Sequence, residues 1–109
     1  MIHHYLYKLY INKCNDIIKD TTKNVYIFGA SYNTQFLLSL GINSNKIKGI
    51  LDNSIEKQNK YFYGYDIIIY SPEILKNDNE CFIILKNGCY TNEIMEQILN
   101  ISANIKIII

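Results

Sequence analysis

The sequence contains no arginine: all 11 basic residues are lysine, against 10 acidic residues, for a net charge of +1 at neutral pH. A balance this close to neutrality excludes the strongly basic surfaces that bind nucleic acid through its phosphates. Arginine is also the residue that grips phosphates and carboxylates with two parallel hydrogen bonds. Any phosphate that this chain binds must therefore be held by backbone N–H groups, hydroxyls, amides or lysine.

Long hydrophobic runs and paired cysteines are missing as well. No apolar run approaches the roughly 18 residues of a membrane-spanning helix, and the first residues lack the pattern of a signal peptide. The odd cysteine count (Cys14, Cys81 and Cys89) and the lack of metal-binding spacing predict a reducing, cytoplasmic location and no structural metal. His3 and His4 are adjacent, so on a helix their side chains point about 100° apart and do not share a metal.

What the sequence does contain is a core, since 49% of its 109 residues are hydrophobic. That is enough for a single packed domain over residues 1–109. Apolar residues recur at spacings of three and four within residues 1–20, which predicts an N-terminal helix. From residue 25 onward, short apolar strands alternate with helices. Strands are predicted at 25–28, 47–51, 66–70, 81–85 and 105–109, and helices at 34–40, from residue 71 and at 91–101.

This alternation of strand and helix is typical of an α/β fold with a parallel sheet and helices on both faces. Right-handed crossovers favour a Rossmann-like, doubly wound sheet of about five parallel strands in the order 3-2-1-4-5. In such sheets, ligands bind beyond the carboxyl ends of the strands, where the strand order reverses. The sequence therefore predicts a ligand site in the loops that follow strands 1, 2 and 4.

Those loops supply glycine, hydroxyl, amide and carboxylate groups. After strand 1, a glycine allows a tight turn, and the free N–H groups at the start of the next helix favour a phosphate or carboxylate. After strand 2, an acidic residue occupies the position at which dinucleotide-binding folds hold a ribose. The candidate ligand-binding residues are Gly29, Ala30, Ser31, Tyr32, Asn33, Thr34, Asp52, Asn53, Asn87 and Gly88.

Several of these residues also have purely structural interpretations. Asp52 is as consistent with a turn as with a ribose ligand. The dinucleotide fingerprint G-x-G-x-x-G reads here as Gly29, Ser31 and Thr34, and the Ser31 side chain hinders close approach of a pyrophosphate. The aromatic residues between Tyr61 and Tyr65 either stack on a base or sugar or cover the sheet edge or a partner surface.

No complete catalytic motif is present. The nucleophile elbow, the Walker lysine motif and the HExxH zinc motif are all missing. Cys89 is the candidate nucleophile in the predicted loops, but no histidine lies near it in sequence to activate it. We therefore predict no catalytic residue and leave open whether the chain is part of an enzyme.

Three segments, in order, carry a family resemblance: Gly29-Ala30-Ser31 after a strand; Asp52, Lys57-Gln58, Gly64 and Ser71-Pro72-Glu73; and FIIL followed by Asn87 and a helix containing Asn92 to Gln97. From Val25 to its end, the chain resembles the C-terminal domain of sugar C-methyltransferases, which methylate a carbon of a nucleotide-linked deoxysugar. The resemblance implies a Rossmann-like domain that helps to cover the nucleotide-sugar. The methyl-donor motif, the zinc-binding cysteines and the catalytic base of that family belong to preceding domains. The family's loop tends to carry lysine and glycine where this chain has Asn33 and Thr34.

The resemblance thus implies a nucleotide or nucleotide-sugar binding module that acts in deoxysugar or surface-glycan (polysaccharide) synthesis, beside a methyltransferase or glycosyltransferase domain. If the chain is part of an enzyme, the expected enzyme is a sugar methyltransferase or a related sugar-modifying enzyme. Two alternatives remain open at this point. One is a small oxidoreductase-like domain that binds NAD(P). The other is a ligand-free assembly domain, which associates through its aromatic segment or its N-terminal helix and forms a homo-oligomer.

Overall fold

The structure is a computed structural model that describes residues 2–86 and 91–109, with side chains from residue 5. Its first element is an amphipathic helix. This helix, α1, spans Ile2–Ile18. Its inward face consists of Tyr10, Ile11, Cys14 and Ile18, which are all buried and recur at spacings of three and four. The Tyr10 hydroxyl donates to the carbonyl of Ile108, 2.9 Å away, and so ties this helix to the last strand.

Five short strands form one parallel sheet. They are β1 (Val25–Phe28), β2 (Ile47–Leu51), β3 (Ile69–Tyr70), β4 (Phe82–Ile84) and β5 (Lys106–Ile108). Their order is β3-β2-β1-β4-β5, and all four neighbouring pairs are parallel. The predicted Rossmann-like topology is therefore confirmed, together with the N-terminal helix.

The sheet is covered on both faces, which is why its central strand is apolar throughout. All four residues of β1 are buried. Val25 and Ile27 face a cluster formed with α1 and α2 (Tyr32–Leu40), whereas Tyr26 and Phe28 face a cluster that includes Ile98 of α3 (Thr91–Ile101). Alternate residues of a strand point to opposite faces, so four consecutive buried residues require a layer on each side.

The largest difference from the sequence prediction lies between β2 and β3. A strand was predicted at residues 66–70, but β3 has only two residues. Residues 59–69 instead form a hairpin, closed by hydrogen bonds from the Ile69 N–H to the Lys60 carbonyl (2.8 Å) and from the Phe62 N–H to the Ile67 carbonyl (2.7 Å). Gly64, with φ +82°, lies at its tip. We call residues 59–69 the hairpin.

The helix boundaries differ by little from those predicted. Helix α2 begins at Tyr32, two residues before the predicted start, because Ser31 is its N-cap. Gly41 ends the helix with φ +124°, and its left-handed conformation suits glycine. The helix predicted from residue 71 is a short 3₁₀ helix, Pro72–Asn77, whose N-terminus is capped by the Ser71 hydroxyl. Across the described ranges, no helix has both the length and the apolar character that crossing a membrane requires.

Candidate functional site

The loop between β1 and α2 is held by hydrogen bonds to β2 and within the loop itself. Gly29 has φ +106°, a conformation that residues with a side chain rarely adopt, and its N–H donates to the Leu51 carbonyl at the end of β2 (2.7 Å). The Thr34 hydroxyl donates to the Gly29 carbonyl, and Thr34 is almost fully buried. Thr34 was predicted to bind a ligand, but its hydroxyl already makes a hydrogen bond within the loop.

Asp52 joins this loop to the one after β2. One carboxylate oxygen accepts the Ala30 N–H (2.9 Å) and the other accepts the Ser54 N–H (2.8 Å). The side chain is only 18% exposed. The sequence left open whether Asp52 is a turn residue or a ribose ligand. The described contacts of Asp52 are those of a turn residue.

Lys57 and Gln58 hold the β2–β3 connection against the start of α2. The Lys57 ammonium donates to the Ala30 carbonyl (3.0 Å) and lies 4.0 Å from a carboxylate oxygen of Asp52. The Gln58 amide donates to the Asp52 carbonyl (2.8 Å). These contacts tie the start of the β2–β3 connection to the loop that precedes α2, at the base of the cleft between α2 and the hairpin.

A pocket of about 680 Å³ occupies this cleft, and we call it the main pocket. The loop and the first turn of α2 supply one wall, with Ala30, Ser31, Tyr32 and Gln35. The opposite wall belongs to the β2–β3 connection and carries Lys57, Lys60, Tyr61, Phe62 and Tyr63. This is a volume typical of small-molecule sites.

The charges that line the main pocket favour an anion. Lys57 and Lys60 are positively charged and Glu56 is negatively charged. The Lys57 ammonium also lies 4.0 Å from an Asp52 carboxylate oxygen, so the charge offered to an anion comes mainly from Lys60 and the start of α2. The first turn of α2 contains no acidic residue, and its N-cap Ser31 makes no side-chain capping bond. The N–H groups at a helix N-terminus carry partial positive charge. Lysine and backbone N–H groups are among the phosphate-binding groups to which an arginine-free chain is restricted.

The other predicted site residues are distributed around this pocket rather than gathered in it. Asn53 exchanges two hydrogen bonds (2.8 and 3.0 Å) with Gln97 of α3. Asn33 accepts from the Tyr7 hydroxyl (3.3 Å) and donates to the Lys86 carbonyl (3.4 Å), on the side of α1 and β4. Asn87 and Gly88, which were expected to close the site after strand 4, lie outside the described residues, as does Cys89.

The main pocket is lined by several residues that the sequence prediction did not assign to the site. Lys60 and Gln35 were not singled out at all. The aromatic segment from Tyr61 was noted only as a stacking or covering surface, and Lys57 only as part of the family resemblance. The signal that was available is the density of aromatic residues beside two lysines within residues 57–65.

The described cysteines are not poised for nucleophilic chemistry. Burial raises the pKa of the Cys81 thiol to about 12, and burial also raises the pKa of Cys14. Because the thiolate is the reactive form, both side chains are inert near neutral pH. Among the residues whose placement is described, no three His, Cys, Asp or Glu side chains cluster in a way that holds a metal ion.

Comparison with models of known protein families identifies the family of this chain. The model of the C-methyltransferase C-terminal domain matches residues 7–109. The chain belongs to this family. The match begins within α1, so this C-methyltransferase C-terminal domain includes the N-terminal helix and not only the segment from Val25 in which the resemblance was recognised.

A solved structure shares the fold. The crystal structure of RSP, a Rex-family repressor, superposes with a TM-score of 0.57 at 17% sequence identity. The match covers 84% of this C-methyltransferase C-terminal domain and 47% of the repressor chain, so our chain spans about half the length of that protein. Comparison with the curated proteins found no match.

Proposed function

We propose that this C-methyltransferase C-terminal domain is a binding module for a nucleotide or nucleotide-sugar, and that the nucleotide end of the ligand occupies the main pocket. The domain would present its ligand to the methyl-transferring part of an enzyme, in deoxysugar or surface-glycan synthesis in the cytoplasm. Family membership supports the link to C-methylation, and the lining of the pocket supports the class of ligand.

The observation that carries the proposal is the combination of charge and aromatic surface in one cleft. Lys57, Lys60 and the start of α2 offer positive charge to a diphosphate. The rings of Tyr61 and Tyr63, which are 64% and 83% exposed, offer faces on which a base can stack. A nucleotide has both an anionic and a flat aromatic part, so it matches both features.

An NAD(P)-binding domain is supported less well by the same contacts. A ribose held by Asp52 would have to share carboxylate oxygens that already accept the N–H groups of Ala30 and Ser54. The Ser31 side chain lines the main pocket at the point where the dinucleotide fingerprint has a glycine. We therefore rank a nucleotide-sugar above a dinucleotide.

Calorimetric titration of the 109-residue chain with UDP-glucose, dTDP-glucose and NAD⁺ tests the proposal. We expect one of the nucleotide-sugars to bind with a Kd below about 1 mM, equivalent to about −4.1 kcal/mol. Lys60→Ala should weaken that binding by about tenfold to a hundredfold, because a hydrogen bond to a charged group contributes about 1.5–3 kcal/mol. Lys60 is exposed, and its structural contact is made by its backbone carbonyl, which the substitution keeps.

Lys106→Ala is the matched control, because Lys106 is an exposed lysine on β5, at the opposite edge of the sheet from β3. The control should bind as the parent chain does. Tighter binding of NAD⁺ than of either nucleotide-sugar, or equal losses in the two lysine variants, would count against the proposal.

A further inference from the structure

A second cavity of about 550 Å³ adjoins the main pocket, and we call it the side groove. The two cavities share Tyr32, Gln35 and Tyr63. The side groove continues between α2 and the tip of the hairpin, where it is lined by Phe36, Ser39, Gly64 and Tyr65. The shared residues place the two cavities side by side along α2.

The direction of the side groove follows from the helix period. Tyr32, Phe36 and Ser39 are separated by four and three residues, so they lie on one face of α2. From Tyr32 to Ser39 the helix advances about 10 Å, at about 1.5 Å per residue. The side groove therefore follows α2 over about two helical turns, from Tyr32 to Ser39.

The two cavities differ sharply in charge. The main pocket is lined by Glu56, Lys57 and Lys60, whereas the described residues that line the side groove include no aspartate, glutamate, lysine or histidine. Its polar groups are the hydroxyls of tyrosine and Ser39 and the amide of Gln35, set among aromatic rings. Hydroxyls and amides both donate and accept hydrogen bonds, so this lining suits a neutral ligand that is rich in hydroxyl groups.

We propose that the side groove binds the sugar part of a nucleotide-linked sugar, whose diphosphate lies in the main pocket. This inference rests on the proposed function and adds the orientation of the ligand along α2. The rings of Phe36, Tyr63 and Tyr65 offer apolar faces to the C–H groups of the sugar. Gln35 meets the sugar at the junction of the two cavities.

The junction requires little rearrangement to receive a ligand. The Gln35 amide lies 3.5 Å from the Tyr63 carbonyl, at the outer limit of a hydrogen bond, so a ligand hydroxyl replaces this contact at little cost. Tyr32 and Tyr63 are 89% and 83% exposed, which leaves both rings free to reorient onto the ligand. Phe36 is held more firmly than these two tyrosines, because its ring packs edge-on against Tyr7 of α1 with a centroid distance of 5.0 Å.

The test compares each nucleoside diphosphate with its glucose derivative, using UDP, UDP-glucose, dTDP and dTDP-glucose in calorimetric titrations. In the parent chain, we expect the linked glucose to strengthen binding about tenfold, equivalent to about 1.4 kcal/mol. Ser39→Phe fills the side groove and should abolish this gain while the affinity for the diphosphate alone stays the same. Ser39→Gln repeats the test with a polar side chain of higher helix propensity than serine.

Asn100→Phe is the control, since it adds the same ring at an exposed position of α3 and should keep the tenfold gain. If the diphosphates bind but glucose adds nothing, or if both Ser39 variants keep the gain, the side groove is not the sugar site and the proposed function still stands. Loss of diphosphate and sugar binding together in the Ser39 variants would also overturn the division of the ligand between two cavities. If no nucleotide binds to the parent chain, the proposed function itself fails.

Discussion

Asp52 joins two loops through a single carboxylate. Its oxygens accept backbone N–H groups from Ala30 and Ser54, and its own carbonyl accepts the Gln58 amide. The ammonium of Lys57 lies 4.0 Å away, but it is half exposed, so its attraction contributes less than the hydrogen bonds. We infer that Asp52 stabilises the site by holding its two walls together.

Asp52→Asn tests this structural role. The amide keeps one acceptor oxygen but turns the other into a donor, so the N–H of Ala30 or of Ser54 loses its partner. We expect the free energy of unfolding to fall by about 1–3 kcal/mol, the cost of an unsatisfied, partly buried polar group. Urea unfolding measures the change. Asp66→Asn, the same substitution at an exposed position, is the control, and equal stability of the two variants would show that Asp52 does not brace the loops.

The buried thiols make the free energy of unfolding depend on pH in the alkaline range. Burial raises the pKa of Cys81 to about 12 in the folded chain, above the ordinary value of 9.0. As the pH rises past 9, the unfolded chain loses this proton first, so the free energy of unfolding falls between about pH 9 and pH 12. Burial raises the pKa of Tyr10 and Tyr26 in the same direction.

Cys81→Ala should therefore reduce the pH dependence of stability. Each group of this kind contributes at most about 1.4 kcal/mol per pH unit. Urea unfolding between about pH 8 and pH 10 should show a shallower decline in the variant than in the parent chain, whatever the absolute loss from the cavity. Parallel declines in the two proteins would mean that the Cys81 thiol titrates normally in the folded state.

Among the elements, the hairpin is the one that the sequence concealed. The strands were predictable because each is a short apolar run, and α1 and α3 were predictable because their apolar residues recur at the helical period. Residues 59–66 have neither pattern, and the hairpin depends on the approach of Tyr61 to Ile68 across a tip at Gly64. The hairpin forms one wall of the main pocket, so missing it meant missing half of the site.

The hairpin joins the sheet through β3, and β3 fits against β2 because residue 49 is glycine. A Cβ at Gly49 would lie 2.5 Å from two ring atoms of Tyr70 and 3.2 Å from the Ile68 carbonyl. Gly49→Ala should therefore lower the free energy of unfolding by about 1–3 kcal/mol through overpacking.

A double-mutant cycle separates this clash from other effects of the substitution. Replacing Tyr70 by alanine removes the ring, so Gly49→Ala should cost much less in that background than in the parent chain. Urea unfolding of the four chains measures the coupling. An equal cost of Gly49→Ala in both backgrounds would contradict the packing of Tyr70 over Gly49.

For the whole molecule, the alternation of strands and helices was enough to predict the sheet, its order and its layers. The topology also locates the loops after β1 and β2, and Ala30, Ser31 and Tyr32 line the main pocket. The topology does not reveal which side chains in those loops form hydrogen bonds with other groups of the protein. Asn33, Thr34 and Asn53 satisfy neighbouring groups of the protein, and those pairings arise only once the chain has folded.

The proposed function requires that the main pocket is the nucleotide site. The most direct measurement is a titration of the isotopically labelled 109-residue chain with UDP-glucose and dTDP-glucose, followed by backbone amide chemical shifts in NMR. We predict saturable shifts that are largest at residues 31–35 and 57–63, on the two walls of the pocket. Shifts centred on α3 or β5, or no saturable shift with either ligand, would contradict the account.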